Sequence, residues 1–178
     1  ALEAVTDILG SGRDDRGAAA AVEALYHAAQ CHPDPEAWMD ACARTLDMAQ
    51  YAGCAETPWG RELLARFRDF LEAQQALLAA ALEDMAELPP LEKAYRPAFQ
   101  ETLEHLELLA SLREWDAVSE TLALPHKRLQ PARGFEDKVL LERFKGVRSR
   151  CLDGLKEWRG VFYGGDGETM DDLRGTAE

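Results

Sequence analysis

From Pro58 to Leu88 the chain carries one unbroken apolar stripe. Leu64, Phe67, Leu71, Gln74, Leu78, Ala81, Met85 and Leu88 follow one another at spacings of three and four. Leu63, Phe70 and Leu77 widen it beyond a two-stranded seam, so the segment is expected to pack into a bundle. Thr57-Pro58 supplies a cap-and-proline start and Pro89-Pro90 a stop. At 1.5 Å rise per residue such a helix is roughly 46 Å long. Sheet is disfavoured throughout: 178 residues contain six Val, seven Thr and one Ile, against 29 Ala and 25 Leu. The fold class is therefore all-α.

Other segments read the same way. Leu2, Val5 and Ile8 predict a short first helix closed by Gly10-Ser11-Gly12. The next runs to about Gln30, with Ala18, Ala21, Val22, Leu25, Ala28 and Ala29 as a small-residue face suited to close helix approach. Asp34-Pro35-Glu36 starts a helix expected to reach Ala52 and end at a left-handed Gly53. Pro97 either kinks a helix or starts one, and a phase shift after Leu112 marks a turn near Arg113–Trp115 or a new neighbour. Leu140, Phe144, Val147, Cys151, Leu155, Trp158 and Phe162 form the last stripe, with Gly146, Gly154 and Gly160 weakening its helix by about 1 kcal/mol each. The expected architecture is an elongated antiparallel bundle of three long helices (58–88, 97–124, 135–162) with an N-terminal set of shorter helices over 2–52. A solenoid of short α-hairpins is the alternative. The corresponding domains are 1–56, 57–162 and an acidic Gly-rich tail, 163–178.

Ala21, Leu25, Ala28 and Pro33, spaced by four, three and five, resemble the second helix of a tetratricopeptide-type hairpin. Glu36-Ala37-Trp38 resembles the opening of a next first helix, and Arg113-Glu114-Trp115-Asp116-Ala117-Val118 the turn into another second helix. About a quarter of the chain is covered. Ala21 and Ala117 lie 96 residues apart, which departs from a 34-residue period. The resemblance implies a concave protein-binding surface and no catalytic residues.

The net charge of −13 is unevenly spread. Residues 1–125 carry −14, residues 126–160 carry +5 and residues 161–178 carry −4. The basic stretch is expected either to lie on the acidic body or to present Arg143, Arg148, Arg150, Trp158, Arg159 and Phe162 to a protein partner. Docked internally, its arginines meet acids such as Glu72, Glu83, Glu101 or Glu104. The repulsive field of the whole molecule makes nucleic acid an unexpected partner. A second copy of the chain remains an alternative protein partner. No run is long and apolar enough to span a membrane. Four cysteines, widely spaced, make no disulfide scaffold and point to the cytoplasm. The chain begins at Ala1 rather than Met, which is compatible with a processed start.

Glu23, His27 and Cys31 lie at i, i+4 and i+8, and Glu101 with His105 repeats the first spacing. Inward-facing ligands from several helices can hold a metal in a bundle, so His27, Cys31 and His105 are the candidate ligands. The competing view is of surface histidines in helical ion pairs. The paired Glu-x-x-His of di-iron bundles, Cys-x-x-Cys and His-Glu-x-x-His are all absent, so no metal and no cofactor is expected. Gly164-Gly165-Asp166-Gly167 follows no strand and precedes no predicted helix, and so makes no phosphate loop. No serine sits in a nucleophile elbow. The chain accordingly reads as a non-catalytic interaction module: an adaptor, chaperone or assembly factor. A ligand- or metal-binding sensor bundle is the alternative.

Overall fold

A computed structural model describes residues 16–177. The first predicted helix lies outside them. Seven α-helices and no strand occur among the described residues: α1 (Arg16–Gln30), α2 (Pro35–Thr45), α3 (Pro58–Met85), α4 (Pro89–Ser111), α5 (Trp115–Leu122), α6 (Lys138–Val161) and α7 (Asp166–Ala177). They fall into two compact units. One comprises Ala1–Pro58 with Gly167–Glu178, the other Trp59–Asp166.

In the first unit Asp34 caps α2, its carboxylate accepting from the Ala37 N–H at 2.9 Å, with Pro35 in the opening position. The His32 and Trp38 rings stack at 4.6 Å across the turn from α1. α2 stops at Thr45, seven residues before the expected end, and Gly53 is extended (φ −162°) rather than left-handed. Side chains returning to the helix end explain the early stop. Gln50 donates to the Arg44 carbonyl at 2.6 Å and the Tyr51 hydroxyl to the Thr45 carbonyl at 2.9 Å. Both satisfy carbonyls that a helix terminus leaves unpaired. The small-residue face of α1 is largely exposed; of its residues only Ala29 is buried. Thr169 and Met170 of α7 are buried, so residues 166–177 form a helix where the sequence reads as tail.

In the second unit α3 buries Leu64, Phe67, Leu71, Leu78, Ala81 and Met85 of the predicted stripe and adds Gly60 and Leu82, while Gln74 and Leu88 are half-buried and Leu77 is exposed. Fully burying such a side chain contributes about 1.5–3 kcal/mol. Leu88 precedes two prolines and is held out of helical geometry, so it ends one helix and caps the next. α4 therefore begins at Pro89, not Pro97; prolines fit the first turn, where no intrahelical N–H bond is needed. Pro97 sits exposed inside α4. The phase shift after Leu112 is a real break, and α5 is a separate short helix.

Asp84 meets Arg143 at 3.4 Å, while Phe67 meets Trp158 at 5.1 Å, so α6 runs antiparallel to α3. Gly154 makes their close approach feasible. A Cβ there would lie 2.7 Å from the Phe70 ring. Beyond α6, Phe162 is fully buried among Phe67 (5.2 Å) and Trp115 (4.5 Å). α5 fixes the corner that follows. The Ser119 hydroxyl lies against the Phe162 and Gly164 carbonyls, and the Asp116 carboxylate accepts from the Asp166 N–H. Gly164 takes φ +64°, a turn that favours glycine. The Gly-rich run thus does precede a helix, but Asp116 occupies its first donor.

Candidate functional site

The polar part of this interior is assembled from three separate stretches. α4 contributes Glu101, Thr102 and His105, α6 contributes Arg148, and the loop after α5 contributes His126 and Lys127. Arg148 is the focus. It holds the position between Phe144 and Cys151 on the buried stripe, at spacings of four and three, so the periodicity that buries its neighbours buries it too. Its residue exposure is 5%.

A buried guanidinium needs acceptors, and it has them. Nε donates to the Thr102 hydroxyl at 3.0 Å, and a terminal nitrogen donates to the Lys127 carbonyl at 2.7 Å and lies 3.8 Å from the Glu101 carboxylate. The Thr102 hydroxyl passes its own proton to the Ala98 carbonyl at 2.8 Å. Glu101 accepts from the Lys127 N–H at 3.3 Å and 3.4 Å, one distance to each oxygen. Lys127 is therefore gripped at both backbone groups, its N–H by an anion and its C=O by a cation. Hydrogen bonds to charged groups contribute about 1.5–3 kcal/mol each, part of which offsets the desolvation of the ions. Burial pushes the Arg148 pKa down, opposed by Glu101.

Two imidazoles cover this clamp. His105 donates from Nε2 to the Thr121 carbonyl at 2.9 Å and stacks on His126, with centroids 4.7 Å apart. His126 Nδ1 is buried without a hydrogen-bond partner, 4.0 Å from Glu101. Burial first, then His105, pushes its pKa below the ordinary 6.5, Glu101 opposing and Arg148 reinforcing. Cys151, beneath Arg148, is pushed up to about 11 by burial and stays a thiol. The cluster holds no activated nucleophile. Its work is positional: it fixes the start of the loop 125–134.

Farther along that loop, Pro131 accepts from the Arg133 N–H at 3.0 Å, and Gly134 turns the chain at φ +81°. Gln130, Pro131 and Arg133 face Pro90, Lys93 and Ala94 of α4 across a cavity of about 310 Å³.

The other singled-out residues lie elsewhere. Arg143 is exposed and paired with Asp84, and Arg150 and Arg159 are exposed. Trp158 is half-buried against Phe67 and Phe70. Arg148 and Phe162, expected on a partner-facing surface, are buried because the stripe they belong to faces the core. Arg148 lies 3.8 Å from Glu101, one of the acids expected to face the basic stretch, but it does so from within the seam rather than from its flank. His27 is exposed, 3.7 Å from Glu23, and Cys31 is exposed with its thiol on the His27 carbonyl. His105 belongs to the other unit, buried rather than in a surface ion pair. No three metal-ligating side chains converge among the described residues. Sequence reasoning missed His126 and Lys127, which carry no periodicity; the inward register of Arg148 was the available signal.

No family model matches the chain. Among curated proteins it is 28% identical over 173 residues to an ATP-dependent helicase/nuclease subunit of Acetivibrio thermocellus, covering 93% of this chain and 14% of that protein. It is 29% identical over 136 residues to the protein of the same name from Bacillus velezensis, covering 72% of this chain and 10% of that protein. The chain thus spans about a seventh or less of the length of these relatives. They overturn the reading of a non-catalytic adaptor, chaperone, assembly factor or sensor bundle, because both belong to enzymes named for nucleic-acid processing. That reading rested on missing catalytic motifs, and their absence from 178 residues does not exclude an enzyme. The exclusion of nucleic acid is not supported either, since both of these relatives are named for acting on it. No described helix is long and apolar enough to cross a membrane.

Proposed function

We propose that this chain is a helical segment of an ATP-dependent helicase/nuclease-type protein, serving there by meeting nucleic acid. The observation that carries this reading is the 28% identity extending through 93% of the chain. The 178 residues contain no Gly-x-x-x-x-Gly-Lys-Ser/Thr loop, so on this reading nucleotide hydrolysis takes place outside them. The basic stretch supplies what a phosphate backbone attracts. Arg128, Arg133, Lys138, Arg150, Lys156 and Arg159 are exposed, and each phosphate neutralised releases counterions. Acids elsewhere in the segment act weakly beyond a Debye length of about 8 Å at physiological salt. The cytoplasm, where nucleic acid is processed in a bacterium, is the compartment this reading implies.

The test is an exchange. Replacing the matched stretch of the Acetivibrio thermocellus protein with this chain is expected to preserve ATP-driven strand separation. A chimera that hydrolyses ATP and separates no strands, beside an unaltered protein that does both, overturns the assignment.

A further inference from the structure

We infer that the cleft between the first turns of α4 and the loop 125–134 is a subsite for one nucleotide of an unpaired nucleic-acid strand. The inference rests on the nucleic-acid reading above and gives it a place and a substrate form. The cavity, about 310 Å³, is lined by Pro90, Lys93, Ala94, Gln130, Pro131 and Arg133. Two of the six are cations and none is an acid. Neither Lys93 nor Arg133 has an ion-pair partner among the described residues, although the chain as a whole carries −13. Two like charges across one cleft repel, and an anion between them relieves the repulsion.

The remaining lining suits the other half of a nucleotide. Pro90 and Pro131 contribute apolar rings to the lining, against which a base can lie, and the Gln130 amide can both donate to and accept from a base edge. In a duplex the base faces are occupied by stacking, so only an unpaired strand can supply one. The wall is also built in advance. Arg148 and Glu101 grip Lys127, three residues before Gln130, and the bond from the Arg133 N–H to Pro131 tightens the tip. Binding therefore orders less of the loop than a free segment would require.

The experiment is fluorescence anisotropy of the 178-residue chain with an oligo-dT strand, its duplex and an abasic strand of equal length, titrated from 50 to 200 mM salt. The native chain is expected to prefer the single strand and to bind the abasic strand at least about fivefold more weakly. Lys93→Ala with Arg133→Ala removes both contacts to that one phosphate. The salt slope on the single strand is expected to fall by about 0.7, so that the affinity lost between the two salt concentrations shrinks about 2.6-fold. An unchanged slope in the double variant, with the native chain binding, overturns the cleft and leaves the broader reading standing. Equal affinity for single strand, duplex and abasic strand overturns the unpaired base. A native chain that binds none of the three overturns the cleft, while the chimera decides the segment assignment separately.

Discussion

At its C-terminal end α6 is held by rings, Trp158 against Phe67 at 5.1 Å and, just beyond the helix, Phe162 against Phe67 and Trp115. Nearer its middle the same helix is held by a guanidinium spread over a hydroxyl, a carbonyl and a carboxylate. The ring end contributes free energy in proportion to area and asks little of direction. The guanidinium contributes less net energy but dictates where one peptide of a loop must lie. Stability and positioning are thus divided along a single helix.

The most damaging change should be at the ring end. Phe67 is 1% exposed and touches three other rings. Phe67→Ala is expected to cost about 3–5 kcal/mol in chemical denaturation. A loss below about 1 kcal/mol, the size of an ordinary substitution, would erase the contrast.

Arg148→Met keeps the volume and leaves Glu101 and the Lys127 carbonyl without their partner. Because Glu101 is partly solvated, we expect a smaller loss, about 1–3 kcal/mol. Its signature should be local, with hydrogen exchange at the Lys127 amide accelerating more than at the α3 core. Uniform acceleration would make the clamp just another piece of the interior.

Gly154→Ala places a methyl group 2.7 Å from the Phe70 ring. Overpacking costs about 1–3 kcal/mol, and alanine returns about 1 kcal/mol of helix propensity. The net loss should be about 1 kcal/mol by thermal melting, and Phe70→Leu in the same chain should recover it.

The smallest effect concerns pH and separates the two ends most cleanly. His126 has a folded pKa below the ordinary 6.5. Its neutral form is the one the fold accepts, so its contribution is complete above about pH 6.5 and is lost as pH falls through the lower folded value. Melting temperature should decline on acidification below about pH 6.5, and His126→Gln should flatten part of that decline. Phe67→Ala should leave the slope unchanged.

The ring end was legible in the sequence. Phe67, Leu71, Leu78 and Met85 stand at helical spacing, and burial followed from period alone. The glycine at 154 was also visible, but only as a weakness; its use depends on a ring 84 residues away. The clamp was legible in fragments. Glu101 and His105 stood out by spacing, and Arg148 was one of four arginines expected to flank the seam and meet acids such as Glu72, Glu83, Glu101 or Glu104. What joins them is a loop, and no periodic rule places His126 or Lys127. The start of α4 at Pro89 was hidden because two adjacent prolines stop one helix and open the next with the same residues. The early end of α2 depends on side chains folding back, which a linear pattern does not encode.

Cys151 gives α6 a built-in reporter. It is fully shielded and its thiol is pushed up to about 11, so at neutral pH it offers an alkylating reagent almost no thiolate. Cys31, exposed on the other unit, has no such shelter. Mass-resolved labelling should therefore tag Cys31 promptly and Cys151 only in molecules whose α6 has left its seat. The ratio of the two tags then counts openings of that one helix in an otherwise untouched protein.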